Sequence, residues 1–205
     1  MNKLSSEAKE FAVKSIPLAE KAKENNIDLG VAPTYLSLEA VATNASKDMI
    51  VAAQNVHYLT NGAYTGEVSI PMLLELGVKW VIIGHSERRT YDNETNEKCN
   101  LKIKALIAND MVPVYCVGET LAEFEGGLTK EIVGTQVRDG LAGLTSEQVK
   151  NLVVAYEPVW SIGTGKNAST EIAQDICGFI REVLRELFGE VADEIRVLYG
   201  GSVKP

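Results

Sequence analysis

Leu152-Val153-Val154-Ala155-Tyr156-Glu157-Pro158 is the stretch on which the fold turns: an apolar run without polar alternation that stops on a carboxylate and a proline. A short, continuously apolar run is a strand covered on both faces, and such strands belong to parallel sheets, whose chemistry collects in the loops at the strand carboxyl ends. Runs of the same character recur at 29–32, 50–53, 79–83, 112–117 and 195–198, with segments of helical periodicity between them. The order αβαβαβαβαβαβ predicts βαβ units in a parallel α/β fold, read as one domain over residues 1–205. Before the run at 29–32, a helix is expected from Ser5 to about Asn25, with Ala8, Phe11, Ala12, Ile16 and Ala19 on one face and Pro17 bending or interrupting it. Asn61-Gly62 marks a turn within a long polar loop, 54–66.

Composition narrows the function classes. With 205 residues, 45% of them hydrophobic, the chain can bury a substantial core and carries no disorder signature. A net charge of −8 repels polynucleotides and anionic membrane surfaces, so neither is an expected partner. An anionic substrate would need backbone N–H groups or a single lysine to hold it. Cys99, Cys116 and Cys177 are odd in number and widely spaced, unlike a zinc site or a disulfide framework. With no signal-peptide core and no apolar run of membrane length, the expectation is a soluble, cytoplasmic protein that uses no metal. Nucleotide signatures fail: no G-x-G-x-x-G follows a strand, and Gly165-Lys166 lacks the rest of a phosphate loop, with Trp160 at the first glycine position and Asn167 after the lysine.

Two strand ends offer titratable groups. His85 closes the run at 79–83, and Ser86 after it reads as a helix N-cap with Glu87 in the first turn. The positive field of a helix N-terminus favours neutral imidazole, which donates a hydrogen bond to a carbonyl oxygen. Glu157, at the rim of its apolar strand, gains basicity when a loop covers it and suits removal of a proton from carbon beside a carbonyl. The following loop, 158–166, places Val159 and Trp160 before Gly163 and Gly165, a composition suited to a hinged lid. Tyr199-Gly200-Gly201-Ser202 leaves backbone N–H groups open to an anion and, with Gly163, sketches a phosphate pocket. Cys116 reads as packing, His57 as structural, and Glu119, Glu123 and Glu125 as solvated faces. Glu87 stays open between a solvated residue and one that orients the site.

Taken together, Ala53-Gln54-Asn55-Val56, Gly84-His85-Ser86-Glu87-Arg88-Arg89, Cys116-Val117-Gly118-Glu119, Ala155-Tyr156-Glu157-Pro158-Val159-Trp160, Ile162-Gly163-Thr164-Gly165-Lys166 and Tyr199-Gly200-Gly201-Ser202 resemble, in order and spacing, the triosephosphate isomerase family. The resemblance implies a TIM (β/α)8 barrel fold, a homodimer, no cofactor, and interconversion of dihydroxyacetone phosphate and glyceraldehyde 3-phosphate through an enediolate. By the same likeness Glu157 is the base, His85 the neutral electrophile, and Pro158, Val159, Trp160, Ser161, Ile162, Gly163, Thr164, Gly165 and Lys166 the lid. Gly163 and Ser202 would contact the substrate phosphate, and the loop bearing Thr65, Gly66 and Glu67 would dock into the partner subunit.

The family's pattern also extends beyond this sequence. Its members carry a strand with Asn and Lys before the position of Met1-Asn2, and an eighth strand after Val203-Lys204-Pro205. The expectation is therefore an incomplete barrel of about six parallel strands, the family's second to seventh, without the substrate-binding lysine and with little or no activity. An inactive fragment or paralogue serving as a dimerising scaffold is the alternative reading. Another phosphate-binding barrel enzyme, such as an epimerase, would lack the combination of His85, Glu157 and lid.

Overall fold

The computed structural model describes residues 2–162 and 168–201. Its chain divides into two compact units, Met1–Ile82 with Asn109–Met111, and Ile83–Ala108 with Val112–Pro205.

In the first unit the expected long helix is two, α1 (Ser5–Lys14) and α2 (Ile16–Glu24), meeting at Ser15. Pro17 stands in the first turn of α2, where a missing N–H breaks no helical hydrogen bond. The Ser15 hydroxyl donates to the Phe11 carbonyl at 2.8 Å and closes the end of α1. Strand β1 (Leu29–Val31), helix α3 (Tyr35–Ala42), strand β2 (Met49–Ala53), helix α4 (Ile70–Glu75) and strand β3 (Trp80–Ile83) follow. The pairing is parallel, with Leu29 opposite Met49 and Val31 opposite Val51, then Ala52 opposite Trp80. Ala8, Ala12 and Val41 form a small core with Val31, Ala45 and Val51, the alanines letting α1 lie close against α3.

The second unit holds α5 (Ser86–Tyr91), α6 (Asn96–Ile107), β4 (Val112–Val117), α7 (Leu121–Glu125), α8 (Thr129–Gly140), β5 (Val153–Tyr156), α9 (Thr170–Phe188) and β6 (Arg196–Tyr199). Strand β5 runs between two parallel partners: Val153 faces Val114 and Arg196, and Tyr156 faces Val117 and Tyr199. All four β5 residues are buried, as the continuous apolar run required. Helix α9 covers the sheet with Ile176, Ile180, Val183, Leu184 and Phe188, its first turn capped by Ser169 accepting from the Ile172 N–H. The last two strands sit one residue later than their apolar runs suggested. Strand β6 also departs from double coverage, since Arg196 and Leu198 face outward. Among the described residues the fold is α/β with six parallel strands, in keeping with an incomplete TIM barrel.

Candidate active site

The carboxyl ends of β4 and β5, with the turn after β3, bring the two predicted groups together inside the second unit. His85 Nε2 lies 3.3 Å from Glu157 Oε1. Glu157 is almost fully buried at 6% exposure, and its other oxygen, Oε2, accepts from the Ser86 N–H at 3.1 Å. Its backbone N–H donates to the Val117 carbonyl at 2.7 Å, extending the β4–β5 ladder one residue past the strand. The carboxylate is therefore held from behind by sheet hydrogen bonds and from the side by the first peptide of α5.

His85, not Ser86, is the N-cap of α5: its Nδ1 accepts from the Glu87 N–H at 3.2 Å. The reading of Ser86 as the cap is thus corrected by one residue, because the imidazole outreaches the serine hydroxyl and Ser86 has already turned into the helix. An Nδ1 that accepts carries no proton, so the ring proton lies on Nε2, the nitrogen turned to Glu157. Glu87 contributes its backbone here, while its exposed carboxylate stands 3.9 Å from Nδ1.

Gly84, just before His85, has φ +74° and no room for a side chain: a Cβ would stand 3.0 Å from Cys99 Sγ and 3.1 Å from the Cys116 carbonyl. Both of its backbone groups are held by charged side chains. Its N–H donates to Glu94 Oε2 at 3.1 Å, and its carbonyl accepts from Arg89 Nε at 2.8 Å. Glu94 is itself buried and paired with the buried Lys102. Arg89 reaches on to the Cys116 carbonyl and to Tyr115 Oη.

Glu119 overturns its reading as a solvated residue, for it is 0% exposed. Its Oε1 accepts from Trp160 Nε1 at 2.8 Å and from Tyr156 Oη at 3.1 Å, while Oε2 is buried without a hydrogen-bond partner. Its carbonyl accepts from the Val159 N–H at 3.1 Å, and Phe124 stacks on Trp160 with centroids 4.4 Å apart. One turn of 3-10 helix, Val159–Ser161, thus lies folded onto the end of β4. Position carried a signal that composition did not: Glu119 stands directly beyond a buried strand, where an acidic residue is either functional or buried with partners.

Cys116 is buried, as a packing residue should be, and burial followed by the neighbouring Glu157 carboxylate raises its thiol pKa well above the ordinary range. His57 belongs to the first unit, stacked on Tyr58 and Tyr64 at 4.5 and 4.3 Å. Thr65, Gly66 and Glu67 are exposed on the same loop. Gly163, Thr164, Gly165, Lys166 and Ser202 lie outside the described residues, as does any phosphate pocket built from them. Among the described residues no group of His, Cys, Asp and Glu side chains could hold a metal ion, and no helix is long and apolar enough to cross a membrane.

A neutral imidazole facing a buried carboxylate can move a proton on and off carbon while polarising the adjacent oxygen. Comparison with known proteins fixes the lineage of this arrangement. The family model described as triosephosphate isomerase matches residues 1–205. The chain belongs to the triosephosphate isomerase family. A family member from Clostridium botulinum (strain Langeland) is 49% identical over 207 residues, covering all of this chain and 82% of the relative. The triosephosphate isomerase of Carboxydothermus hydrogenoformans is 52% identical over 183 residues, 88% of this chain and 73% of the relative, and that of Moorella thermoacetica 49% over 206 residues, all of this chain and 82% of the relative. Triosephosphate isomerase is thus the function that the family and its named members support.

Proposed function

We propose that Glu157 and His85 carry out the isomerisation of dihydroxyacetone phosphate and D-glyceraldehyde 3-phosphate. The observation that supports this reading is the 3.3 Å approach of His85 Nε2 to a buried Glu157 carboxylate. The Glu157 carboxylate takes a proton from the carbon beside the carbonyl, and the C–H electron pair becomes the C=C bond of an enediolate. The carbonyl π electrons go to oxygen, where Nε2–H donates to the growing negative charge. Glu157, whose carboxyl proton exchanges with solvent while the enediolate is held, then returns a proton to the neighbouring carbon, and the oxygens exchange theirs through His85.

Residues 158–166 act as the lid, a behaviour for which this family is itself a standard example. The Trp160–Glu119 hydrogen bond and the Phe124 stack hold its described part against β4. Gly163 and Ser202 take the phosphate. Thr65, Gly66 and Glu67, exposed on a loop stiffened by the His57–Tyr58–Tyr64 stack, dock into a second copy to form a homodimer. The reaction needs no cofactor, and the enzyme works in the cytoplasm.

The test is a coupled assay with glyceraldehyde 3-phosphate on the native chain and on His85→Ala. Turnover that falls by about 100- to 1,000-fold in the variant supports the assignment; equal turnover in the two overturns it.

A further inference from the structure

Gly118, the residue after β4, presses on the catalytic base at closer range than any side chain permits: a Cβ there would stand 1.8 Å from the Glu157 carbonyl oxygen. What fixes Gly118 comes from α8. Its N–H donates to Gln136 Oε1 at 2.7 Å, and its carbonyl accepts from Gln136 Nε2 at 3.0 Å. One amide side chain thus grips both polar groups of one residue. The Gln136 backbone carbonyl in turn accepts from Tyr115 Oη at 2.7 Å, and Tyr115 Oη accepts from Arg89, which holds the Gly84 carbonyl. The seat of Glu157 and the seat of His85 are joined by a continuous chain of hydrogen bonds, Gly118–Gln136–Tyr115–Arg89–Gly84.

We infer that Gln136 is a positioning residue for the reaction: it touches neither substrate nor reacting atoms, and it sets where Glu157 stands by holding Gly118 against the Glu157 backbone. The inference rests on the reading of Glu157 as the base. A neutral amide suits this role because it supplies one acceptor and one donor side by side, matching the Gly118 N–H and carbonyl. A glutamate in its place matches that pair only when protonated, since an ionised carboxylate would turn an oxygen toward the Gly118 carbonyl.

The experiment compares the native chain with Gln136→Met and Gln136→Glu. Gln136→Met fills the space without the hydrogen bonds; kcat is expected to fall by about 10- to 100-fold, the cost of a misplacement of up to about 1 Å, with KM nearly unchanged and the melting temperature lowered by the two unsatisfied Gly118 groups. In Gln136→Glu the ratio of variant to native kcat is expected to rise as pH is lowered and the new carboxyl protonates. Among the described residues, Arg89, Cys99, Tyr115, Glu123, Asp139 and Glu157 are the ionisable groups around that position, and they are common to both proteins. An unchanged kcat in Gln136→Met, or a pH-independent ratio in Gln136→Glu, overturns the inference. If the native chain shows no measurable isomerase activity, that outcome reflects the expected lack of the substrate-binding lysine and leaves the reading of Glu157 to its own test, and amide exchange decides the positioning role. Faster exchange at Gly118 and Glu157 in Gln136→Met, with the centre of β5 unchanged, supports it; unchanged exchange at Glu157 overturns it.

Discussion

The two units bury different things. Among the described residues, the polar side chains buried in the first are the uncharged Ser15, Ser37 and Asn55, whereas the second buries Glu94, Lys102, Glu119 and Glu157. Removing a charge from water costs several kcal/mol unless partners restore the lost hydration. The second unit spends much of its structure on supplying those partners: Lys102 for Glu94, Trp160 and Tyr156 for Glu119, the Ser86 N–H for Glu157. The difference teaches that one half of this chain is built as ordinary α/β packing, while the other is arranged around buried carboxylates and the groups that pair with them.

The largest expected effect falls on chemistry alone. Glu157→Gln keeps the shape and the acceptor for Ser86 but removes the base, so kcat should fall by about 100- to 10,000-fold, read in a coupled assay, with circular dichroism unchanged. Next comes the contrast between the units in stability. Glu94→Ala strands Lys102 and the Gly84 N–H, at about 3–5 kcal/mol in urea unfolding. Ser15→Ala in the first unit removes one hydroxyl hydrogen bond, at about 0.5–1.5 kcal/mol. Equal costs would break the comparison.

Alkali should find the second unit first. Burial pushes the Cys99 thiol up to about 11, and Cys116, Tyr115 and Tyr156 move in the same direction. Below pH 9 the thiol of Cys99 is protonated whether folded or not. Between about pH 9 and 11 the unfolded chain ionises while the folded one does not, so stability is lost as pH rises, by about 2–3 kcal/mol for Cys99. Urea midpoints taken across this range should drop, and Cys99→Ala should flatten the drop. Gly118→Ala tests the same unit from its backbone: a methyl group there would stand 1.8 Å from the Glu157 carbonyl oxygen, so destabilisation of about 3 kcal/mol or more is expected, accompanied by a lower kcat.

The α/β class, the strand runs and the titratable residues at the run ends were legible because each rests on local pattern, whereas the expectation that His85 and Glu157 act together rested on the family resemblance, since no local pattern links residues so far apart in sequence. The partners of those residues were not legible. Glu94 acts on Gly84 from the turn before α6, Arg89 from α5, and Gln136 on Gly118 from α8, and no periodicity marks them. Glu119 was misread because an acidic residue beside Thr120 and near Glu123 and Glu125 looks like a wet turn. Thr120 and Glu123 do form an exposed capping box, while Glu119 turns inward beneath Trp160. The N-cap slipped by a residue because a histidine cap uses a ring nitrogen that composition rules do not anticipate.

The most direct test of the account follows hydrogen rather than rate. Dihydroxyacetone phosphate is incubated with the chain in deuterated buffer, and the product is examined by proton NMR. Transfer through Glu157 predicts solvent deuterium on the carbon beside the carbonyl with the native chain, and loss of that incorporation in Glu157→Gln. Deuterium entering at the same rate in the variant would contradict it.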